Sequence, residues 1–450
     1  MKRECHRQHR QWGIIADDLT GACDTGAIFA QRGFATVVVL NRRLRLSSGV
    51  EIVVVTTRSR NDPVRAARRK VQQACRYLRA RRIDALYKKI DSTLKGNVLA
   101  ETAAVMTASG FSRALICPAY PAQGRAVRRG ILFVQGQRAA DLSAVFSAQK
   151  NRRLVSVHSP VTAARLAEAI GSKAQMILPD AEAQGHLDCL VKAAMESKQR
   201  VLLAGSGGLT TALANALAKR TVSRLREKLR RINPSREVVS NSAHFGGRCN
   251  PRPAWSPGFS RFSRAGRLKP ELPTGPTENR SEIVRPTLIF TGSNNPVTAG
   301  QIDALFRTHP LRMHSLQRQR LRAIEDSLRR HQLAVVHVPV HRSSDDTILR
   351  ILTGFDVLFT VSTIASLVVI GGDTAALILR WLQTQAIELH GEIAPGIPWG
   401  RMIGGKADGL TLSTKAGGFG KRDSLVRIAA FLAGPPCGEL FPRKQDLAEF

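Results

Sequence analysis

Two adjacent carboxylates, Asp17 and Asp18, stand where the apolar run Gly13–Ala16 meets Leu19-Thr20-Gly21-Ala22. Neighbouring acids repel each other and lose hydration when enclosed, so a fold keeps such a pair for a cation or a polar ligand. Capping of the next helix by either residue is the plainer alternative. A second dense polar stretch, Lys88-Lys89-Ile90-Asp91-Ser92-Thr93-Leu94-Lys95, combines ammonium groups, a carboxylate and two hydroxyls. It suits an anionic, polyhydroxylated ligand, with Lys89 and Lys95 for the acid group, Asp91 for a hydroxyl, and Ser92 and Thr93 as adaptable partners. Arg58 follows a further apolar run, Glu51–Thr57, and offers a planar fork for a carboxylate or phosphate.

The second half carries a different chemistry. Gly371-Gly372-Asp373-Thr374 and Thr414-Lys415-Ala416-Gly417-Gly418 are glycine-rich turns, each entered from a short apolar run. Such turns let a polyphosphate approach the backbone closely, with amides as donors. Lys415 would neutralise phosphate charge, and Asp373 would reach a magnesium ion directly or through water. Ser293-Asn294-Asn295-Pro296 has the polar residues and the first-turn proline of a well-formed helix start.

The elements that must position these groups follow one pattern. Gly13–Ala16, Ala35–Leu40, Glu51–Thr57 and Ala85–Tyr87 read as buried strands running into polar loops, and Leu115–Pro121, Ile177–Asp180 and Val201–Gly208 continue the pattern of strand ends. Helices are expected over Cys23–Gly33, Asp62–Ala80, Val98–Ser109 and Leu209–Ala218. After residue 286 the same rhythm resumes at Thr287–Phe290, Leu367–Ile370 and Leu410–Ser413. Strand–loop–helix units in series predict an α/β fold with ligands at the carboxyl ends of the strands. The stretch Leu311–Gln332 is dense in arginine and shows no clear rhythm.

At 450 residues the chain is long enough for two to three domains. No apolar run is long enough for a membrane span, and the basic start MKRECHRQHRQW lacks the apolar core of a signal peptide. Seven scattered cysteines without a CxxC pair predict reduced thiols and a cytoplasmic protein. The net charge of +34 admits a nucleic-acid partner, but the arginines are spread along the chain and not interleaved with aromatic stacking platforms. Residues 220–285 hold 15 lysines and arginines against 5 acids, crowded with Pro, Gly, Ser and Asn, and read as a disordered linker.

Nine segments in order carry a resemblance: IADDLTGACDTG, TTRSR, KKIDSTLKGN, CPAYPAQGR, AGSGGL, TGSNNPVTAGQI, GGDTA, APGIPWG and TKAGGFG. Together they resemble the four-carbon acid sugar kinases, enzymes similar to threonate, erythronate and 3-oxo-tetronate kinases. The resemblance implies two Rossmann-like three-layer α/β domains with an active-site cleft between them. Residues 1–219 would hold the sugar acid, 220–285 would be the basic linker, and 286–450 would hold ATP. It further implies a nucleotide contact from Ser293; related sequences usually carry a serine where Asn295 stands.

The expected function is ATP-dependent phosphorylation of the terminal hydroxyl of a threonate- or erythronate-like acid. Asp18 or Asp91 would orient or deprotonate that hydroxyl, with Asp17, Arg58, Lys89, Ser92, Thr93 and Lys95 binding the acid. Ser293, Asn295, Gly371, Gly372, Asp373, Thr374, Lys415, Gly417 and Gly418 would hold ATP and Mg2+. The partners expected are the small sugar acid and a second copy in a homodimer, with no membrane. Competing readings are a 3-oxo-tetronate 4-kinase and an inactive basic relative that binds nucleic acid. An NAD-linked enzyme is disfavoured because no GxGxxG stands at any strand end.

Overall fold

The computed structural model describes residues 11–147, 153–159, 161–232, 286–340, 343–360 and 364–434. The expected strands form, and the short valine- and isoleucine-rich runs explain why. Val53–Val55, for instance, is fully buried in the strand Ile52–Thr56, as befits a parallel sheet covered on both faces.

Among the described residues, fifteen strands join in one sheet. The first block runs Thr36–Val39, Ile52–Thr56, Trp12–Ala16, Ala85–Lys89, Val201–Gly205, Arg113–Cys117, Met176–Pro179, Leu154–Val157, all parallel. The second runs Met313–Ser315, Leu333–His337, Thr287–Thr291, Ser366–Ile370, Thr411–Lys415, again parallel. An antiparallel pair, Ala386–Ala394 with Ile397–Ile403, connects them. Its first strand pairs with Thr36–Val39 and its second with Thr411–Lys415. A separate three-stranded sheet, Arg125–Arg128, Ile131–Val134 and Gln137–Asp141, lies outside this array.

Register aligns the functional strand ends. Thr56, Ala16, Lys89 and Gly205 stand side by side in the first block, and Thr291, Ile370 and Lys415 in the second. The polar loops therefore emerge along common edges.

Local chemistry sets the element ends. The first helix, Leu19–Ala30, begins four residues earlier than expected because Asp18 caps it, accepting the Gly21 N–H at 3.1 Å. The strand Leu333–His337 hides behind the arginine-rich helix Leu321–His331. Gln332 (φ 56°) makes the left-handed stop there that a glycine would have signalled.

The helix Gly207–Ile232 continues beyond position 219, into the stretch read as linker. The rest of that stretch, 233–285, lies outside the described residues. Cys23, Cys75, Cys117 and Cys189 are free thiols; the other three cysteines are not among the described residues. No described helix is long and apolar enough to cross a membrane.

Candidate active site

A cavity of about 60 Å³ opens at the carboxyl ends of the first block. Asp18, Asp24, Arg60, Lys89, Asp91 and Ser92 supply its polar wall, and Ala416 and Phe419 from the second half close it. Arg60 is its electrostatic centre. Its Nε and Nη2 grip both oxygens of Asp17 at 2.8 and 3.1 Å, and Nη2 also lies 2.9 Å from Asp18 and 3.5 Å from Asp91. Burial works against ionised Asp17, but Lys88, Arg60 and Lys89 outweigh it and hold its carboxyl below the usual range. Burial likewise works against Asp91, which Arg60 and the hydrogen bonds from Thr93 keep low.

The turn carrying Arg60 is fastened from behind. Strand alternation sends Lys89 to the cavity and Lys88 to the opposite face, where Lys88 pairs with Glu101 of the helix Val98–Ser109 at 2.9 Å. Both side chains are 1% exposed. Glu101 also accepts the Ser59 hydroxyl at 2.6 Å, and Asn97 donates to the carbonyls of Ser59 and Asp62. The residue that fixes three carboxylates is thus itself fixed by a buried ion pair.

A second cavity, of about 250 Å³, is lined by Ser293, Asn294, Asn295, Gly371, Gly372, Asp373, Thr374, Gly417 and Gly418. Two helices, Pro296–Thr308 and Gly372–Trp381, begin at it, so their free amides and dipoles favour an anion. Gly371 (φ 100°) makes a turn that disfavours any side chain. At Gly417 a Cβ would lie 2.3 Å from the Ser293 Oγ, so any larger residue would displace that hydroxyl.

The cavities adjoin. The Cβ position of Gly372 is 3.7 Å from Asp18 Oδ2 and 3.6 Å from Thr20 Oγ1. One loop serves both, since Asp91 and Ser92 line the smaller cavity and Lys95 lines the larger.

A model of the sugar-binding N-terminal domain matches residues 12–213, and one of the nucleotide-binding C-terminal domain matches 288–425. The D-threonate kinase of Bordetella bronchiseptica is 30% identical over 441 residues, covering 93% of this chain and 96% of that one. The chain belongs to the four-carbon acid sugar kinase family. The 3-oxo-tetronate kinase of Pseudomonas fluorescens is 25% identical over 460 residues, 94% and 97% of the two chains. A crystal structure of a Haemophilus influenzae protein shares the fold at a TM-score of 0.62 and 19% identity, covering 93% of this chain and all of that one.

In this sugar acid kinase Asp18, Lys89, Asp91 and Ser92 meet at the smaller cavity as expected from their spacing. Four other residues take different places. Arg58 (φ 48°) does not line the cavity; its left-handed backbone turns the chain so that Arg60 enters instead. Asp17 lies beneath Arg60, not in the wall. Thr93 spends its hydroxyl and N–H on Asp91. Lys95 faces the larger cavity, not the smaller.

Among the nucleotide candidates, Ser293, Asn295, Gly371, Gly372, Asp373, Thr374, Gly417 and Gly418 share the larger cavity. Lys415 does not line it. Its ammonium is turned onto the carbonyls of Ala416, Gly417 and Phe419 at 2.9, 3.3 and 3.0 Å. Burial lowers it to about 8. It shapes the glycine loop from within. Sequence reasoning brought Arg58-Ser59-Arg60 to this edge but singled out Arg58, and it missed Asp24, although Asp24 lies inside the segment IADDLTGACDTG.

Proposed function

We propose that this kinase transfers the terminal phosphoryl group of ATP to the terminal hydroxyl of a four-carbon sugar acid of the threonate type. The observation that carries the reading is the junction at Asp18 and Gly372, where a small polar cavity meets a larger one lined by helix starts and glycines. A tetronate fits the smaller cavity by chemistry. Lys89 would meet its carboxylate, and Asp91 and Ser92 its hydroxyls.

Asp18 is the better placed of the two candidate bases. Its Oδ2 lies 3.7 Å from the Cβ position of Gly372, a residue of the second cavity; both carboxylates already accept hydrogen bonds, Asp18 from the Gly21 N–H and the Thr20 hydroxyl and Asp91 from the Thr93 N–H and hydroxyl. The hydroxyl oxygen would attack the γ-phosphorus as the bond to the β–γ bridging oxygen breaks, and its proton would pass to Asp18. Positioning and charge neutralisation dominate such transfers, and Lys95 stands on the polyphosphate side to supply charge.

The donor set fits magnesium carried on polyphosphate. Asp373 is one carboxylate beside the hydroxyl residues Ser293 and Thr374, and no described cluster of three or more His, Cys, Asp or Glu side chains forms a cage of its own. When bound, magnesium would neutralise charge on the phosphate oxygens.

The threonate-type assignment draws on the 30% identity to a D-threonate kinase, against 25% for a 3-oxo-tetronate kinase. The test is nucleoside diphosphate release with ATP against threonate, erythronate and their 3-oxo forms. Preference for threonate supports the assignment, and turnover confined to a 3-oxo acid contradicts it.

A further inference from the structure

The smaller cavity contains a third carboxyl group that the transfer chemistry leaves unused. Asp18 accepts hydrogen bonds from Thr20 and Gly21 and is ion-paired with Arg60; Asp91 accepts from Thr93 and is ion-paired with Arg60. Asp24 lines the same cavity from the helix Leu19–Ala30, yet its Oδ1 is buried and receives no hydrogen bond. We propose that Asp24 is a specificity-determining residue: its carboxyl holds a proton and donates it in a hydrogen bond to a hydroxyl of the bound sugar acid.

The surroundings explain the protonated form. An ionised carboxylate needs donors on both oxygens, and the inner one has none. Burial favours the neutral acid and is reinforced by Asp18 and, once it is ionised above about pH 7, by Glu392, against the pull of Lys89 and Arg60. Lys415, the other cation felt there, spends its ammonium on loop carbonyls. With Oδ1 as an unpartnered inner carbonyl oxygen, Oδ2 is the group available to the cavity. A hydroxyl placed against it gains a donor that water leaving the cavity can no longer provide. Three acids in one small cavity then divide the work. Asp18 and Asp91 are acceptors held by Arg60, and Asp24 is a donor.

This inference rests on the sugar acid binding in the smaller cavity, so the experiment separates the two. Binding of threonate by calorimetry and steady-state kinetics with ATP are measured for the native chain, Asp24→Ala and Asp24→Asn. The panel includes 2-deoxy and 3-deoxy tetronates. Asp24→Ala is expected to raise the KM for the acid about tenfold, the loss of one hydrogen bond, with the KM for ATP unchanged. Asp24→Asn, which keeps a neutral donor, should recover most of that loss. For the deoxy acid lacking the contacted hydroxyl, native and alanine proteins should be alike. An asparagine variant as impaired as the alanine one, or an alanine variant with native KM, overturns the proposal while leaving the kinase reading intact. A native protein that binds no four-carbon acid overturns both. If Asp24→Ala does not fold, Asp24→Asn against the deoxy panel decides the same point.

Discussion

At the scale of single residues, the site depends on how one guanidinium is shared. Arg60 holds Asp17, Asp18 and Asp91 together, so three like charges coexist around a small cavity. Asp18 is the only one of the three that also borders the glycine-lined cavity, and the account makes it the base. Asp18→Asn should therefore lower kcat about 10²-fold with little change in the KM for ATP, measured by steady-state kinetics. Which residues would be useful was partly legible. Asp18, Lys89, Asp91 and Ser92 end apolar runs, and strand ends in a parallel sheet converge. Arg60 was not distinguishable from Arg58, because the left-handed backbone at Arg58 that decides between them has no signature in Arg-Ser-Arg. Lys415 was misread for a related reason. A lysine beside a glycine loop looks like a phosphate ligand unless its direction is known.

Elements place these residues through contacts remote in sequence. The Lys88–Glu101 pair lies in the core behind the cavity and holds the turn of Ser59 and Arg60. Glu101→Gln would leave Lys88 buried without a counter-charge. A loss of about 3 kcal/mol in stability is expected, read from urea unfolding. The glycine loops are placed as tightly. Gly417→Ala would push a methyl group against Ser293, so the KM for ATP should rise about tenfold while that for the acid changes less. The parallel blocks and their order of strands and helices were readable from apolar runs ending in polar loops. The joining of the two blocks through the hairpin Ala386–Ala394 and Ile397–Ile403 was not, because its first strand pairs with Thr36–Val39, remote in sequence, and such pairing leaves no local period.

For the whole molecule, one continuous sheet carries both cavities, and titration couples its stability to pH. Glu392, on the strand that meets the first block, holds its proton to about 7 because burial outweighs the Gly396 N–H and Arg32. The ordinary value is 4.5, so the folded state binds this proton more tightly than the unfolded chain between those pH values. The contribution is complete below about pH 4.5 and is lost as pH rises through 7. Stability of the native chain relative to Glu392→Gln should fall by on the order of 2 kcal/mol from pH 4.5 to 7.5, measured by urea unfolding at both. The central claim, that a phosphoryl group crosses from the glycine-lined cavity to an acid held beside Asp18, is tested most directly by identifying the product. Phosphorus and carbon NMR of a reaction with ATP, magnesium and threonate should show one phosphate ester on the terminal carbon, forming about 10²-fold more slowly with Asp18→Asn. A phosphate ester at another hydroxyl, or the same product at undiminished rate from the variant, would contradict it.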